Sequence, residues 1–72
     1  MAVFKDDFHN RAVIEQVVTA PYYGAKKQKA YRLICADAEN FVYFVSVYET
    51  VTEAMEKLKS LSAGTFREIV EN

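Results

Sequence analysis

The chain has 72 residues, a net charge of -1, 51% hydrophobic and 14% aromatic side chains. This sets it near the lower limit at which one core holds a fold unaided, and leaves room for a single domain. The composition excludes intrinsic disorder, and the near-zero charge excludes general attraction to a polyanion while permitting a local basic patch. With one cysteine, Cys35, and one histidine, His9, no intramolecular disulfide or zinc site of ordinary spacing can be built, so tight packing or a second subunit has to supply the stability.

Lys5, Asp6 and Asp7 interrupt the start of the chain where a signal peptide would need an apolar core, and no run approaches the roughly 18 apolar residues of a membrane span. A cytoplasmic protein without membrane association is expected, and the lone thiol fits a reducing compartment. Residues 12–19 are rich in Val and Ile and stop before Pro21. They read as a strand, although Val13, Ile14, Val17 and Val18 also fall at helical spacing and leave an α-β-β-α order open. After a loop over 21–29, Tyr31-Arg32-Leu33-Ile34-Cys35 and Phe41-Val42-Tyr43-Phe44-Val45-Ser46-Val47-Tyr48 are β-branched and aromatic. Asp37-Ala38-Glu39-Asn40 between them has turn-forming ends, so the two segments predict a hairpin.

Thr50-Val51-Thr52-Glu53 has the spacing of a capping box and opens a helix. Val51, Ala54, Met55, Leu58 and Leu61 continue as one apolar stripe, Glu53 and Lys57 are spaced to pair, and Gly64 is a natural stop, which predicts a helix over 51–62. The tail over 65–70 reads equally as a short edge strand or a frayed end. The expected architecture is a single α+β domain over 1–72, a three-stranded antiparallel sheet packed on a C-terminal amphipathic helix in the order β-β-β-α.

Pairing Ala36 with Phe41 across the turn places Arg32, Ile34, Ala36, Phe41, Tyr43, Val45 and Val47 on one face of the hairpin. Leu33, Cys35, Val42, Phe44, Ser46 and Tyr48, with Tyr31, then share the other. Both faces are apolar, whereas one helix of about 12 residues covers only one face of a sheet. Three covers are open to the second face: the N-terminal segment folding back through Val3, Phe4 and Phe8, a second copy of the chain, or a different macromolecule. A closed two-fold homodimer is the working expectation. Phe41, Tyr43, Val45 and Val47 on the sheet, with Tyr22 and Tyr23 on the loop, are the candidate protein-interface residues.

No acidic residue lies between Gln16 and Ala36, while Lys26, Lys27, Lys29 and Arg32 stand near Tyr22, Tyr23 and Tyr31. Lysines that neutralise phosphates beside tyrosines that stack on bases make a nucleic-acid site the alternative reading, with Lys26, Lys27, Lys29, Arg32 and Tyr31 as its residues; a solvated loop is the plainer one. The order of three strands and a helix, with Tyr48-Glu49-Thr50 leading into Thr52-Glu53-Ala54, resembles that of several small DNA-binding domains, such as the amino-terminal arm domains of phage-type integrases and the plant AP2 domains. That resemblance implies a sheet laid in a DNA major groove, yet Tyr, Phe and Val stand here where a groove reader offers Arg, Lys and Asn.

The remaining reactive groups have plain roles. Cys35 sits mid-strand as a small hydrophobe, His9 has no evident partner, and the carboxylate pairs Asp6-Asp7 and Asp37-Glu39 fit a solvated terminus and a turn. Gly24 and Gly64 are the only glycines, so no Gly-rich phosphate loop exists. No catalytic, metal or cofactor site is expected. The function anticipated is that of a non-enzymatic interaction or regulatory module, with a small nucleic-acid-binding domain as the alternative.

Overall fold

A computed structural model describes residues 1–20, 22–62 and 65–69. Its elements are β1 (Ala2–Lys5), β2 (Arg11–Thr19), β3 (Gln28–Ala36), β4 (Val42–Tyr48), α1 (Val51–Ser62) and β5 (Arg67–Glu68). Five strands, not three, form one antiparallel sheet in the order β4-β3-β2-β1-β5. The first four make a meander. The helix then carries the chain from the β4 edge back over the sheet, so that β5 pairs with β1 at the opposite edge. The expected α+β class and C-terminal helix stand, the strand count is corrected by β1, and the tail, left open between edge strand and frayed end, forms β5.

Residues 12–19 are strand and not helix, because each of them has a partner on β3, from Ala12 opposite Cys35 to Thr19 opposite Gln28. The β1 strand, absent from the sequence reading, pairs Ala2, Val3, Phe4 and Lys5 with Ile14, Val13, Ala12 and Arg11. This pairing overturns the idea that the N-terminal segment folds over the second face. The segment extends the sheet instead, with Phe4 buried and Phe8 exposed in the following turn.

Alternation sorts the main core cluster onto one side, while Ala30 is buried on the other. Phe4, Ala12, Ile14, Leu33, Cys35, Ala54 and Leu58 form one buried cluster, against which Tyr31, Phe44, Tyr48, Met55 and Phe66 pack. Each large apolar side chain so buried contributes about 1.5 to 3 kcal/mol. The helix begins where its capping box predicts, with the Glu53 backbone N–H donating to Thr50 Oγ1 at 3.2 Å. Ala54 and Leu58 face the sheet, whereas Val51 and Leu61, at the ends of the expected stripe, are exposed. Lys57 stands over the Phe44 ring, 5.5 Å from its centroid, and so adds a cation-π contact to the helix-sheet seam. The proposed stop at Gly64, the turn residue Pro21 and the tail end at Val70 lie outside the described residues.

The two tight turns share one construction. Asp37 Oδ1 accepts from the N–H groups of Glu39 and Phe41, and its own backbone bonds Phe41 and Asn40. In the same way Asp6 Oδ1 accepts from Phe8 and Asn10, and its backbone bonds Asn10 and His9. In each turn the third residue after the aspartate is left-handed, His9 with φ 65° and Asn40 with φ 69°. This is the geometry of a hairpin loop closed by a left-handed residue, with the aspartate side chain satisfying amides that the turn would otherwise orphan.

The long β2-β3 hairpin runs past the end of the helix and gives the molecule an elongated outline. Its Cα radius of gyration is 13.1 Å and its extents are 43 × 26 × 21 Å, against about 11 Å of gyration radius for a compact chain of this length.

Candidate interaction face

The sheet face away from α1 is built by the residues that alternate with the core. Val13 lies between buried Ala12 and Ile14, and Ile34 between buried Leu33 and Cys35, so both point away from the helix. Register extends that row in both directions, from Val45 opposite Ile34, through Val13, to Val3. Beyond Val3, the Ile69 N–H donates to the Val3 carbonyl at 2.7 Å. One apolar row, Val45-Ile34-Val13-Val3-Ile69, therefore crosses four strands and ends at Ile69, just past β5. No described residue lies over it as α1 lies over the opposite face. Val45 is 54% and Val47 48% exposed, which for two valines in mid-strand marks an uncovered face.

Two polar rows flank the apolar one. On the side toward the long hairpin, Val47, Arg32 and Glu15 stand opposite one another on β4, β3 and β2. Arg32 Nε donates to Glu15 Oε1 at 2.6 Å, and the second guanidinium nitrogen converges on the same oxygen. On the side toward the tight turns, Val42, Ala36, Arg11, Lys5 and Arg67 follow in register. Three cations thus occupy neighbouring positions on one face. Arg67 is paired with Asp7, and among the described residues no carboxylate meets Lys5 or Arg11.

The expected register of the β3-β4 hairpin is corrected by two residues. Ile34 faces Val45 rather than Tyr43, and a shift between Cys35 and Ala36 sets Ala36 opposite Val42. A slip of two leaves the face of Ile34, Val45 and Val47 as expected. The bulge moves Val42 out of the covered face and takes Tyr43 out of the alternation. Burial first, and then the proximity of Cys35, Asp6 and Asp37, raise the Tyr43 phenol above its ordinary pKa. Phe41 lies just outside β4 and is exposed, as are Tyr22 and Tyr23 on the loop. From Val13 to Thr19 the strand spans about 20 Å, which sets those two tyrosines well away from the row. Of the candidate interface residues, the fold brings Val45 and Val47 together and leaves the others apart.

The candidate phosphate-binding group is also divided. Lys26, Lys27 and Lys29 are exposed around the loop, Tyr31 packs against the core on the covered side, and Arg32 is held by Glu15 on the open side. Beside the hairpin, Thr19, Gln28, Ala30, Val47 and Glu49 line a cleft of about 350 Å³. Lys29, Tyr48 and Thr50 also line it, and Lys29 and Glu49 are its charged groups.

Reactive side chains are placed as structural parts. Cys35 is fully buried and burial pushes its thiol pKa up, which keeps it a protonated, unreactive hydrophobe. His9 is exposed in the left-handed turn position. Burial raises the Asp6 carboxyl, but the bonds from Asn10 and Phe8 and the nearby His9 outweigh it and bring its pKa below the usual 3.8. Among the described residues no three His, Cys, Asp or Glu side chains converge as metal ligands, and no helix is long and apolar enough to cross a membrane. Comparisons of this chain with protein-family models, with curated proteins and with solved structures return no match.

Proposed function

We propose that this chain is a non-enzymatic interaction module that self-associates through its open sheet face. The observation that carries the reading is the apolar row Val45-Ile34-Val13-Val3-Ile69. A chain this small gains much from each buried valine or isoleucine, and a row in which Val45 and Ile69 are exposed and Val3, Val13 and Ile34 only partly buried leaves part of that gain unrealised. With the N-terminal segment committed to the sheet edge, the covers that remain are a second copy or another macromolecule, and a closed two-fold pair is the simplest assembly.

Light scattering coupled to size exclusion, over a range of concentrations and at low and high salt, tests the reading. A dimer that persists at high salt is expected, since apolar burial is not screened. A monomer at every concentration contradicts it. Binding of single-stranded nucleic acid that fades steeply with salt would instead favour the lysine-bearing loop as the functional surface.

A further inference from the structure

On β2 the open-face residues run Arg11, Val13, Glu15, so a cation and an anion flank the central valine at equal spacing. The spacing is self-complementary. Turning a second copy by 180° about an axis along the apolar row, in the plane of the face, leaves each strand opposite its own equivalent but reversed. The copy's Glu15 then lies over Arg11, and the copy's Arg11 over Glu15. By the same operation Val47 of one chain meets Val42 of the other, Arg32 meets the small Ala36, and the apolar row packs on itself.

Two features of the single chain fit this arrangement. Like charges directly opposite one another on a sheet are destabilising, and Lys5 and Arg11 are such a pair, with no carboxylate against them among the described residues. In addition, Nε and Nη2 of Arg32 both converge on Oε1 of Glu15, and among the described residues no donor meets its Oε2. Each face thus carries an unanswered positive charge and a carboxylate oxygen with unused acceptor capacity, at positions that the two-fold operation brings together.

We infer that two copies of this chain pack open face to open face about a two-fold axis along the Val45-Ile34-Val13-Val3-Ile69 row, with Glu15 of each copy answering Arg11 of the other. The inference rests on the reading of the open face as a self-interface and adds its orientation and its specificity determinant. Aligned packing of two sheets at about 10 Å is an established mode. The patch, roughly five strands by five residues, covers on the order of 400 Å² per chain, about 800 Å² for the pair, which places it among weak, transient contacts below the roughly 1,200 Å² of stable interfaces. Association is therefore concentration-dependent, and charge matching decides the orientation.

Sedimentation equilibrium of the full chain across concentration tests it, with folding of each variant checked by circular dichroism. R11E places two carboxylates against each other twice per dimer, and its dissociation constant should rise about 30-fold or more. The triple variant R11E/E15R/R32E reverses the sign of every charge in both contacts while keeping each paired, and should recover to within about threefold of the parent. Recovery by the triple variant excludes a mere folding defect in R11E. A parent dimer that V45E disrupts and R11E leaves unchanged overturns this orientation and keeps the open face as an interface; pairing through the β4 edge gives that result, because Arg11 is two strands from that edge. A parent that is monomeric throughout overturns both.

Discussion

The two faces of this sheet are made by the same strands and nearly the same residue types, yet only one is covered by the chain itself. On the covered side, Leu33, Cys35, Ala12 and Ile14 are closed over by Ala54 and Leu58 of α1 and by Phe4 and Phe66. On the open side, Ile34, Val13, Val45 and Val3 alternate with them along the same strands, with only the Arg32-Glu15 pair and the basic row for relief. A sheet with one solvated face ordinarily alternates apolar with polar residues. On the proposed reading, the apolar side chains of the open face are covered by a second copy of the chain.

The largest expected difference between the faces is in the cost of truncation. Leu33→Ala should remove about 2 to 5 kcal/mol from the stability measured by urea unfolding, enough to unfold much of a domain this small. Val45→Ala, measured at high dilution, should cost far less, about 0.5 kcal/mol, because Val45 is already about half exposed in the single chain. Equal costs for the two would erase the distinction between the faces.

Association should respond in the opposite order. Val45→Glu places an unpaired charge in the middle of the proposed interface, and its self-affinity should fall by about 100-fold or more, with circular dichroism and dilute-state stability close to the parent. Light scattering against concentration provides the comparison. Retention of full association by this variant would mean that the row is not the contact.

The paired turns offer a smaller, local contrast. Asn40 is a residue that tolerates the left-handed conformation, and Asn40→Ala should cost about 1 kcal/mol. His9 holds the same conformation in the other turn with less ease, so His9→Asn should gain about 0.5 kcal/mol. Thermal or urea unfolding of the two variants should move in opposite directions.

The smallest effect is a pH dependence. Because the folded pKa of Asp6 is depressed below 3.8, its bonds stabilise the fold fully above the unfolded pKa, and that contribution is lost as pH falls through the folded value. Asp6→Asn should therefore be less stable than the parent at neutral pH and should show a shallower loss of stability below about pH 4. An unchanged acid limb in unfolding titrations would rule out Asp6 as its source.

What could be read from the residues follows from how local each signal is. The helix was legible because Thr50 and Glu53 announce its start and its stripe repeats over three turns. The faces of the central hairpin were legible because β-alternation survives a register slip of two, even though the turn pairing itself was misplaced by the bulge at Ala36. Strand β1 was not, since four residues at the end of the chain carry too little pattern and become a strand only through pairing with β2. A signal was nevertheless present: Asp6 to Asn10 repeats the turn chemistry of Asp37 to Phe41, and a second hairpin turn there implies a strand before it. The basic row of Arg11, Lys5 and Arg67 could not be seen without that strand, because its three members come from three separate segments. Arg32 and Tyr31, read together from sequence as one patch with the lysines, point to opposite faces by the same alternation that made the hairpin legible.

The central claim, that the open face is where the molecule meets its own copy, is tested most directly by methyl NMR over a dilution series. The account predicts that the methyl signals of Val3, Val13, Ile34 and Val45 shift together with concentration, while those of Leu33 and Leu58, beneath the helix, stay in place. Shifts confined to the loop at residues 22–27, or no concentration dependence at all, would contradict it.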